Sequence, residues 1–274
     1  MNELMQGGLG AGELGVVVAP AGIGKSWVLS AMGAYAISQG LNVVHYTLEL
    51  NEAYVGLRYD SIFSGVESQN LKYHKEEVME KLFNLKGNLT IKYYPTKACT
   101  VNTLSAHLKK VTTFGKKVDM VLVDYADIMR DVSKATEMRH ALGNIYEDLR
   151  GMAGELQIPV WTASQANRSA LDEDVIEASK VAESYAKVMT ADFVMSLSRK
   201  IEDKIGNTGR FHVIKNRFGP DGLTYPAKIN TNIGKIEIFE SNSVQGKGVQ
   251  HKINNRDNQV KGMLSARYED LMNE

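Results

Sequence analysis

Cysteine is almost absent from this chain of 274 residues, which contains only Cys99. A single thiol cannot form an internal disulfide or a structural zinc site, so the sequence excludes a disulfide-stabilised secreted domain. Long apolar runs are also missing, because none approaches the roughly 20 residues that a membrane-spanning helix needs. The N-terminus has no basic-then-apolar segment of the secretory type. We therefore expect a cytoplasmic protein that does not bind membranes, or one of the host cytoplasm if a phage encodes it.

The chain has no excess of charge of either sign, with 32 basic and 32 acidic side chains. This balance argues against a uniformly basic protein that coats nucleic acid, but leaves open binding through a few positive loops. Apolar residues make up 43% of the chain and charged residues 23%, as in soluble globular enzymes. The length suffices for one large domain or two small ones.

Short β-branched runs alternate with longer helical patterns, which predicts an α/β sheet with crossover helices. The expected strands are Leu14–Ala19, Asn42–Thr47, Leu89–Tyr93, Val118–Val123, Ile158–Ala163, Phe193–Leu197, Phe211–Lys215 and Lys235–Phe239. A first helix is expected from Lys25 to about Gln39, with Gly40 as its left-handed cap. A second helix is predicted by an apolar stripe that includes Met138, Leu142, Ile145, Leu149, Met152 and Leu156.

The pattern changes late in the chain. Arg210–Lys215 and Leu223–Ile229 flank a turn-rich segment, which predicts an antiparallel hairpin. We expect one domain over residues 1–240 and a polar tail over 241–274, flexible from Ser241 to Lys261 because of its composition. Leu264, Tyr268, Leu271 and Met272 would share one helical face. That segment either docks on a partner or packs on its own domain.

The most informative motif is Ala19-Pro-Ala-Gly-Ile-Gly-Lys-Ser26, between an apolar run and a helical pattern. It matches the nucleotide phosphate loop G-x-x-x-x-G-K-[ST] except that alanine replaces the first glycine. Such a loop directs backbone N–H groups and a helix N-terminus at a phosphate, while Lys25 reaches its oxygens and Ser26 ligates Mg²⁺. The residues expected to line bound ATP are Ala19, Pro20, Ala21, Gly22, Ile23, Gly24, Lys25, Ser26 and Trp27.

Two acidic residues follow strands that should end beside this loop. Asp124 closes the apolar run Val121-Leu-Val-Asp124, which has the Walker B form and predicts a second Mg²⁺ contact. Glu49 follows the strand after the first helix and is the candidate base that orients water. Alternatively, Glu49 is an acidic residue that stabilises the N-terminus of the next helix through its dipole, a role that Glu52 fits better.

Three further polar residues are candidates on their position alone. Gln165 follows another predicted strand and either senses the γ-phosphate or caps the strand end. Lys215 and Arg217 lie at the tip of the late hairpin, with no acidic partner nearby in sequence. They either complete a neighbouring subunit's site by neutralising the γ-phosphate or form a solvated basic turn.

Five of these motifs occur in the order found in one family. They are Ala19–Ser26, Leu48-Glu49-Leu50, Leu122-Val-Asp-Tyr125, Ala163-Ser-Gln-Ala-Asn-Arg168 and Lys215-Asn-Arg-Phe-Gly219. Over roughly residues 5 to 240 the chain resembles the RecA-like motor domain of DnaB-type hexameric replicative helicases. Gly7-Gly-Leu9 and Tyr94-Pro-Thr96 resemble the branch found in large tailed phages.

The resemblance implies a RecA-like P-loop NTPase core with a mainly parallel twisted sheet, flanking helices and a C-terminal antiparallel addition. It also implies a hexameric ring that hydrolyses ATP at its interfaces and moves 5′→3′ on single-stranded DNA. By this resemblance Lys25, Ser26 and Asp124 bind phosphate and Mg²⁺, Glu49 activates water and Gln165 senses the γ-phosphate.

The resemblance implies that Lys215 and Arg217 act together on the ATP site of the neighbouring subunit, with Arg217 as the arginine finger. DNA would contact loops over about Met129–Glu137 and Asn167–Lys187. The candidate phosphate contacts in these loops, each of which is equally well explained as a surface charge, are Arg130, Lys134, Arg168 and Lys180.

The chain begins almost at the motor domain. We therefore expect the family's N-terminal domain and linker helix to have been trimmed or to be supplied by another chain. Primase and a helicase loader would bind through missing or terminal regions. A recombinase of the same superfamily and a nucleotide-dependent scaffold whose hydrolysis is dispensable remain as alternatives.

Overall fold

A computed structural model describes residues 4–5, 7–181 and 185–255 of the chain. Its centre is one nine-stranded sheet. The strands are β1 (Leu14–Ala19), β2 (Val43–Thr47), β3 (Leu89–Tyr93), β4 (Met120–Asp124), β5 (Val160–Gln165), β6 (Phe193–Ser198), β7 (Thr208–Asn216), β8 (Thr224–Asn230) and β9 (Lys235–Ile238). Every strand expected from the sequence is confirmed; two have the expected bounds, and the ends of the others differ by at most three residues.

The strand order is β3-β2-β4-β5-β1-β6-β7-β8-β9. The strands from β3 to β6 in that order run parallel, whereas β7, β8 and β9 are antiparallel additions. The predicted RecA-like core with a C-terminal antiparallel addition is thus confirmed. Because β1, β4 and β5 run parallel to one another, the loops that follow them emerge at one edge of the sheet.

The described helices are α1 (Lys25–Ser38), α2 (Glu52–Ser64), α3 (Lys75–Phe83), α4 (Val101–Thr113), α5 (Met138–Leu156), α6 (Ala186–Thr190), α7 (Ile201–Gly206) and α8 (244–255). The two helices predicted from sequence are confirmed as α1 and α5. Gly40 has the expected left-handed conformation, with φ of 88°.

Helices cover both faces of the sheet, as the packing of β1 illustrates. Its alternate residues Leu14, Val16 and Val18 pack in the core with α4 and α5, whereas Val17 and Ala19 pack with α1 and α2. A strand buried on both faces reads as a continuous apolar run, as this one does. The strand is therefore held rigidly from both sides, and the loop that follows it starts from a fixed point.

The region expected to be flexible from Ser241 to Lys261 contains a helix over 244–255, so that expectation was wrong for these residues, whereas 256–261 lie outside the described part of the chain. Ser243 caps it, because its hydroxyl accepts from the Gly246 N–H at 2.9 Å. Val249 and Ile253, one helical turn apart, are both buried. Two apolar residues in a polar stretch were enough to anchor the helix. The predicted amphipathic face of residues 264–272 lies outside the described residues.

Within residues 4–5, 7–181 and 185–255, none of the helices combines the length and the apolar character required to cross a bilayer.

Candidate nucleotide site

The phosphate loop joins β1 to α1 at the carboxyl edge of the sheet. Gly22 and Gly24 have φ of 71° and 117°, a conformation that L side chains rarely adopt. Ala19 ends β1 in extended conformation, so a β-carbon fits where the motif has its first glycine. Gly24 precedes α1 and provides no side-chain cap, which leaves the first N–H groups of that helix available to an anion.

The Lys25 ammonium lies inside this loop. Its Nζ donates to the carbonyls of Ala19 at 3.1 Å and Pro20 at 3.2 Å, and lies 5.7 Å from the Tyr125 ring centre. Burial lowers the pKa of Lys25, and the carboxylates of Asp124, Asp127 and Glu49 offset part of that shift. A buried cation among acids can neutralise a phosphate that enters the loop.

Asp124 ends β4 and is buried, with 1% of its surface exposed. Neither carboxylate oxygen has a hydrogen-bond partner of normal geometry among the described residues. Burial raises the pKa of Asp124, and Ser26, Arg58 and Lys25 are close enough to lower it in part, whereas Glu49 raises it further. Two orphaned carboxylate oxygens beside the Ser26 hydroxyl form the oxygen-donor set that Mg²⁺ prefers.

We expect Asp124→Asn to raise the free energy of unfolding of the nucleotide-free protein by about 1 kcal/mol while abolishing hydrolysis. The folded-state pKa of Asp124 lies above that of the unfolded chain, so its ionisation favours unfolding. The stabilisation should therefore grow as the pH rises above the range in which ordinary aspartates titrate. Urea unfolding at acidic and neutral pH measures this. A less stable variant at neutral pH would contradict it.

Glu49 lies just after β2, exposed at the same edge of the sheet as the loop. Its charge influences Lys25, Asp124, Tyr125 and Arg58, which places it within the electrostatic reach of the site. An exposed carboxylate close to a phosphate loop is able to orient water. The structure thus brings Glu49 to the predicted place.

Arg58, on α2, belongs to the site although the sequence did not indicate it. Its guanidinium lies 5.0 Å from the Trp27 ring centre, and its Nη1 is buried with no hydrogen-bond partner among the described residues. Burial lowers the pKa of Arg58, and the charges of Asp124 and Glu49 offset part of that shift. An arginine eleven residues beyond the end of the predicted strand has no motif to mark it. Only the packing of α2 beside α1 brings it to the loop.

Gln165 ends β5 directly beside Ala19 of β1. Its backbone N–H donates to Asp127 Oδ2 at 3.0 Å. Asp127 also accepts from the hydroxyls of Tyr146 at 2.7 Å and Ser164 at 3.1 Å. No sequence motif marks Asp127, because its role depends on partners from two other elements. It fixes the main chain of Gln165 beside the loop.

Lys187 marks the approximate end of the second loop expected to contact DNA, and the structure places it in a helix instead. It lies in α6 with 1% of its surface exposed, and its Nζ pairs with Asp127 at 2.9 Å and donates to Ser164 at 3.1 Å. Its stem and charge are buried, so it cannot contact a DNA backbone in this position.

Lys215 and Arg217 lie at the opposite edge of the sheet from the phosphate loop. Lys215 Nζ donates to the carbonyls of Val188 at 3.0 Å and Met189 at 2.6 Å. Arg217 Nη1 pairs with Asp192 at 2.8 Å, although the sequence suggested no acidic partner. Asp192 Oδ2 accepts from the N–H of Leu14, at the start of β1. The length of β1, about 17 Å at ~3.3 Å per residue, therefore separates Arg217 from its own loop.

The candidate DNA contacts follow the carboxyl ends of β4 and β5. Arg130, Lys134 and Arg168 are exposed and form no ion pair with any described residue, whereas Lys180 pairs with Glu173 at 2.9 Å. An isolated bridge between Ala166 and Val181 closes the base of the second loop. Three free cations at this edge are available to phosphates.

Residues 1–233 match the family described as DnaB-like helicase C terminal domain. A DnaB-like replicative helicase of Enterobacteria phage T4 is 28% identical over 237 residues, which are 80% of this chain and 49% of that protein. The replicative DNA helicase DnaB of Helicobacter pylori is 26% identical over 173 residues, or 61% of this chain and 35% of that protein. The chain thus spans half or less of the length of these relatives.

Solved structures agree with the fold. The ATPase domain of G40P superposes with a TM-score of 0.74 at 18% identity, covering 86% of this chain and 88% of that one. A DnaB-like replicative helicase, solved for its interactions with primase, gives 0.73 at 18% identity over 84% of this chain and 58% of that one.

Proposed function

This chain belongs to the family of DnaB-like helicase C-terminal domains, and we propose on that premise that it is the motor of a replicative DNA helicase. It hydrolyses ATP, moves 5′→3′ along single-stranded DNA and separates the strands of a duplex. Its proposed location is the cytoplasm, of the host cell if a phage encodes it.

The observation that carries the proposal is the division of the catalytic groups between two edges of one sheet. Lys25, Asp124 and Glu49 lie at the carboxyl edge of the parallel strands, and Lys215 and Arg217 lie at the other. Groups about 17 Å apart along β1 cannot act on one phosphate. A second copy of the chain that presents its Arg217 edge to this loop would complete the site. This supports a homo-oligomer, and in this family a hexameric ring.

The residues at the loop fit ATP with Mg²⁺. The uncapped N–H groups of α1 and the Lys25 ammonium bind phosphate, and the Ser26 hydroxyl and Asp124 carboxylate would hold the metal ion. Mg²⁺, when bound, offsets the negative charge of the triphosphate. Glu49 accepts the proton of the attacking water, and Gln165 hydrogen-bonds the γ-phosphate.

Single-stranded DNA is the proposed polymer along which the motor moves, and Arg130, Lys134 and Arg168 are the proposed contacts to its phosphates. Lys180 is a weaker candidate because Glu173 already pairs with it. Primase is a proposed partner of the assembled helicase, since a structural relative was solved for its interactions with primase.

Steady-state ATP hydrolysis with and without oligo(dT) tests the proposal, with Lys25→Ala as the control. We expect stimulation by DNA that the control loses, since that variant lacks the buried ammonium of the loop. Duplexes with a 5′ or a 3′ single-stranded tail then separate the alternatives. Unwinding from the 5′ tail supports a helicase. Strand exchange by open filaments would indicate a recombinase, and ATP binding without hydrolysis a scaffold.

A further inference from the structure

Asp192 connects the edge that carries Arg217 to the body of the sheet. It precedes β6, and its side chain is 4% exposed. Oδ1 accepts from Arg217 Nη1 at 2.8 Å and from Arg150 Nη2 at 3.0 Å. Oδ2 accepts from Arg150 Nε at 3.1 Å and from the Leu14 N–H at 3.0 Å. One buried carboxylate therefore holds two guanidinium groups and the start of β1.

We propose that Asp192 is the positioning residue for Arg217, holding its guanidinium ready for the phosphate bound by a neighbouring copy of this chain. The inference rests on the proposed function, because it assumes that Arg217 acts on a second subunit. Arg217 is held at two points, since its backbone N–H also donates to the Asp192 carbonyl at 3.0 Å. Its other guanidinium N–H groups have no partner among the described residues and remain available to an anion.

Arg150 gives this arrangement its rigidity. It reaches Asp192 from α5 through both Nε and Nη2, the two-pronged geometry that fixes a carboxylate in orientation as well as position. Hydrogen bonding to Asp192 raises the pKa of Arg150, so this partner stays charged. When Arg217 turns toward a phosphate, Arg150 still neutralises the buried carboxylate, which would otherwise be left with an unpaired charge.

Asp192→Asn tests the proposal in the full chain. Asparagine keeps the shape and one acceptor oxygen but loses the charge that aligns Arg217. We expect kcat for DNA-stimulated ATP hydrolysis to fall roughly ten- to one-hundred-fold, the range for a lost charged hydrogen bond, with the Kd for a fluorescent ATP analogue unchanged. An unchanged kcat in a folded variant would overturn the proposal.

Complementation separates positioning from a general structural role. An Asp192→Asn subunit keeps its phosphate loop and lacks only an aligned finger, whereas a Lys25→Ala subunit keeps the finger. Co-expression should therefore restore several-fold more hydrolysis than either variant shows alone. A merely destabilised protein would not regain activity from an inactive partner, so failure to complement counts against the proposal.

Asp203→Asn is the matched control. Asp203 is another buried carboxylate paired with an arginine, Arg210 of β7, at 2.8 Å, but that pair involves neither the Arg217 segment nor the phosphate loop. We expect a lower melting temperature with less than two-fold change in kcat below it. If Asp203→Asn lowers kcat and complements as Asp192→Asn does, the effect is not specific to Arg217 and the inference fails.

Should Asp192→Asn not fold, Arg150→Gln takes its place, because the Arg150 side chain is 42% exposed. A looser carboxylate aligns Arg217 less well, so kcat should fall about three- to ten-fold with complementation by Lys25→Ala. Wild-type kcat would overturn the inference. If Arg217→Ala itself retains full hydrolysis, the trans-acting finger and hence the proposed function fail first. If Arg217→Ala loses hydrolysis but the Asp192 and Arg150 variants keep the wild-type kcat, only the positioning role of Asp192 is wrong.

Discussion

Glu49→Gln is expected to reduce ATP hydrolysis by about a hundred- to ten-thousand-fold, the usual contribution of a general base, while ATP still binds. Glutamine has nearly the same shape and still forms hydrogen bonds, but it cannot accept a proton from water. Binding should persist because the groups proposed to hold phosphate, Lys25 and the N–H groups of α1, are unchanged. Phosphate release and binding of a fluorescent ATP analogue measure the two effects separately.

Glu52→Gln is the control for this prediction, because Glu52 is the acid that fits the alternative structural role. It lies in the first turn of α2, accepts from the Tyr93 N–H at 2.9 Å and lies 3.8 Å from Lys92. An exposed pair of this kind contributes little to stability, so hydrolysis should stay near the wild-type rate. If Glu52→Gln is inactive and Glu49→Gln is not, the base was assigned to the wrong residue. A fully functional Glu49→Gln protein would favour the scaffold alternative.

The part of the site that the sequence predicts is the part that one strand and its following loop determine. Gly22, Gly24 and Lys25 have their roles in the loop whatever surrounds it, because backbone conformation and a helix N-terminus are local features. Asp124 and Gln165 could be placed because parallel strands that end in polar residues meet at one edge. The alternation of apolar strand patterns and helical patterns was likewise sufficient to predict an α/β sheet.

The residues that the sequence did not reveal act through distant partners. Arg58 reaches the loop from α2, and Asp127 holds Gln165 only because β4 and β5 are neighbours. Asp192 lies 25 positions before Arg217 in the chain, so no short motif could link them. The buried position of Lys187 has the same origin, since its acidic partner follows another strand. Contacts between side chains of different helices and strands can be identified only from the three-dimensional structure.

Arg217→Ala is expected to lower hydrolysis by about a thousand-fold or more, as removal of arginine fingers does in related reactions, with ATP binding retained. The reason is geometric. Arg217 lies at the edge of the sheet opposite its own phosphate loop, paired with Asp192, so it is remote from a phosphate bound there and is proposed to act on one held by another copy. In the proposed site, ATP binds at the carboxyl edge of the parallel strands, so binding should not depend on Arg217. Nucleotide titration and phosphate release give the two values.

Mixed assemblies provide the sharper measurement, because they assign the two edges to different subunits. A Lys25→Ala subunit offers an intact Arg217 to its neighbour, and an Arg217→Ala subunit offers an intact loop. In a co-expressed mixture, a fraction of the interfaces combines the intact loop of one with the intact arginine of the other, and hydrolysis should reappear. Two variants that failed for unrelated reasons would stay inactive together. If Arg217→Ala remains active without a partner, the arginine does not complete the site, and the two edges of this sheet belong to separate functions.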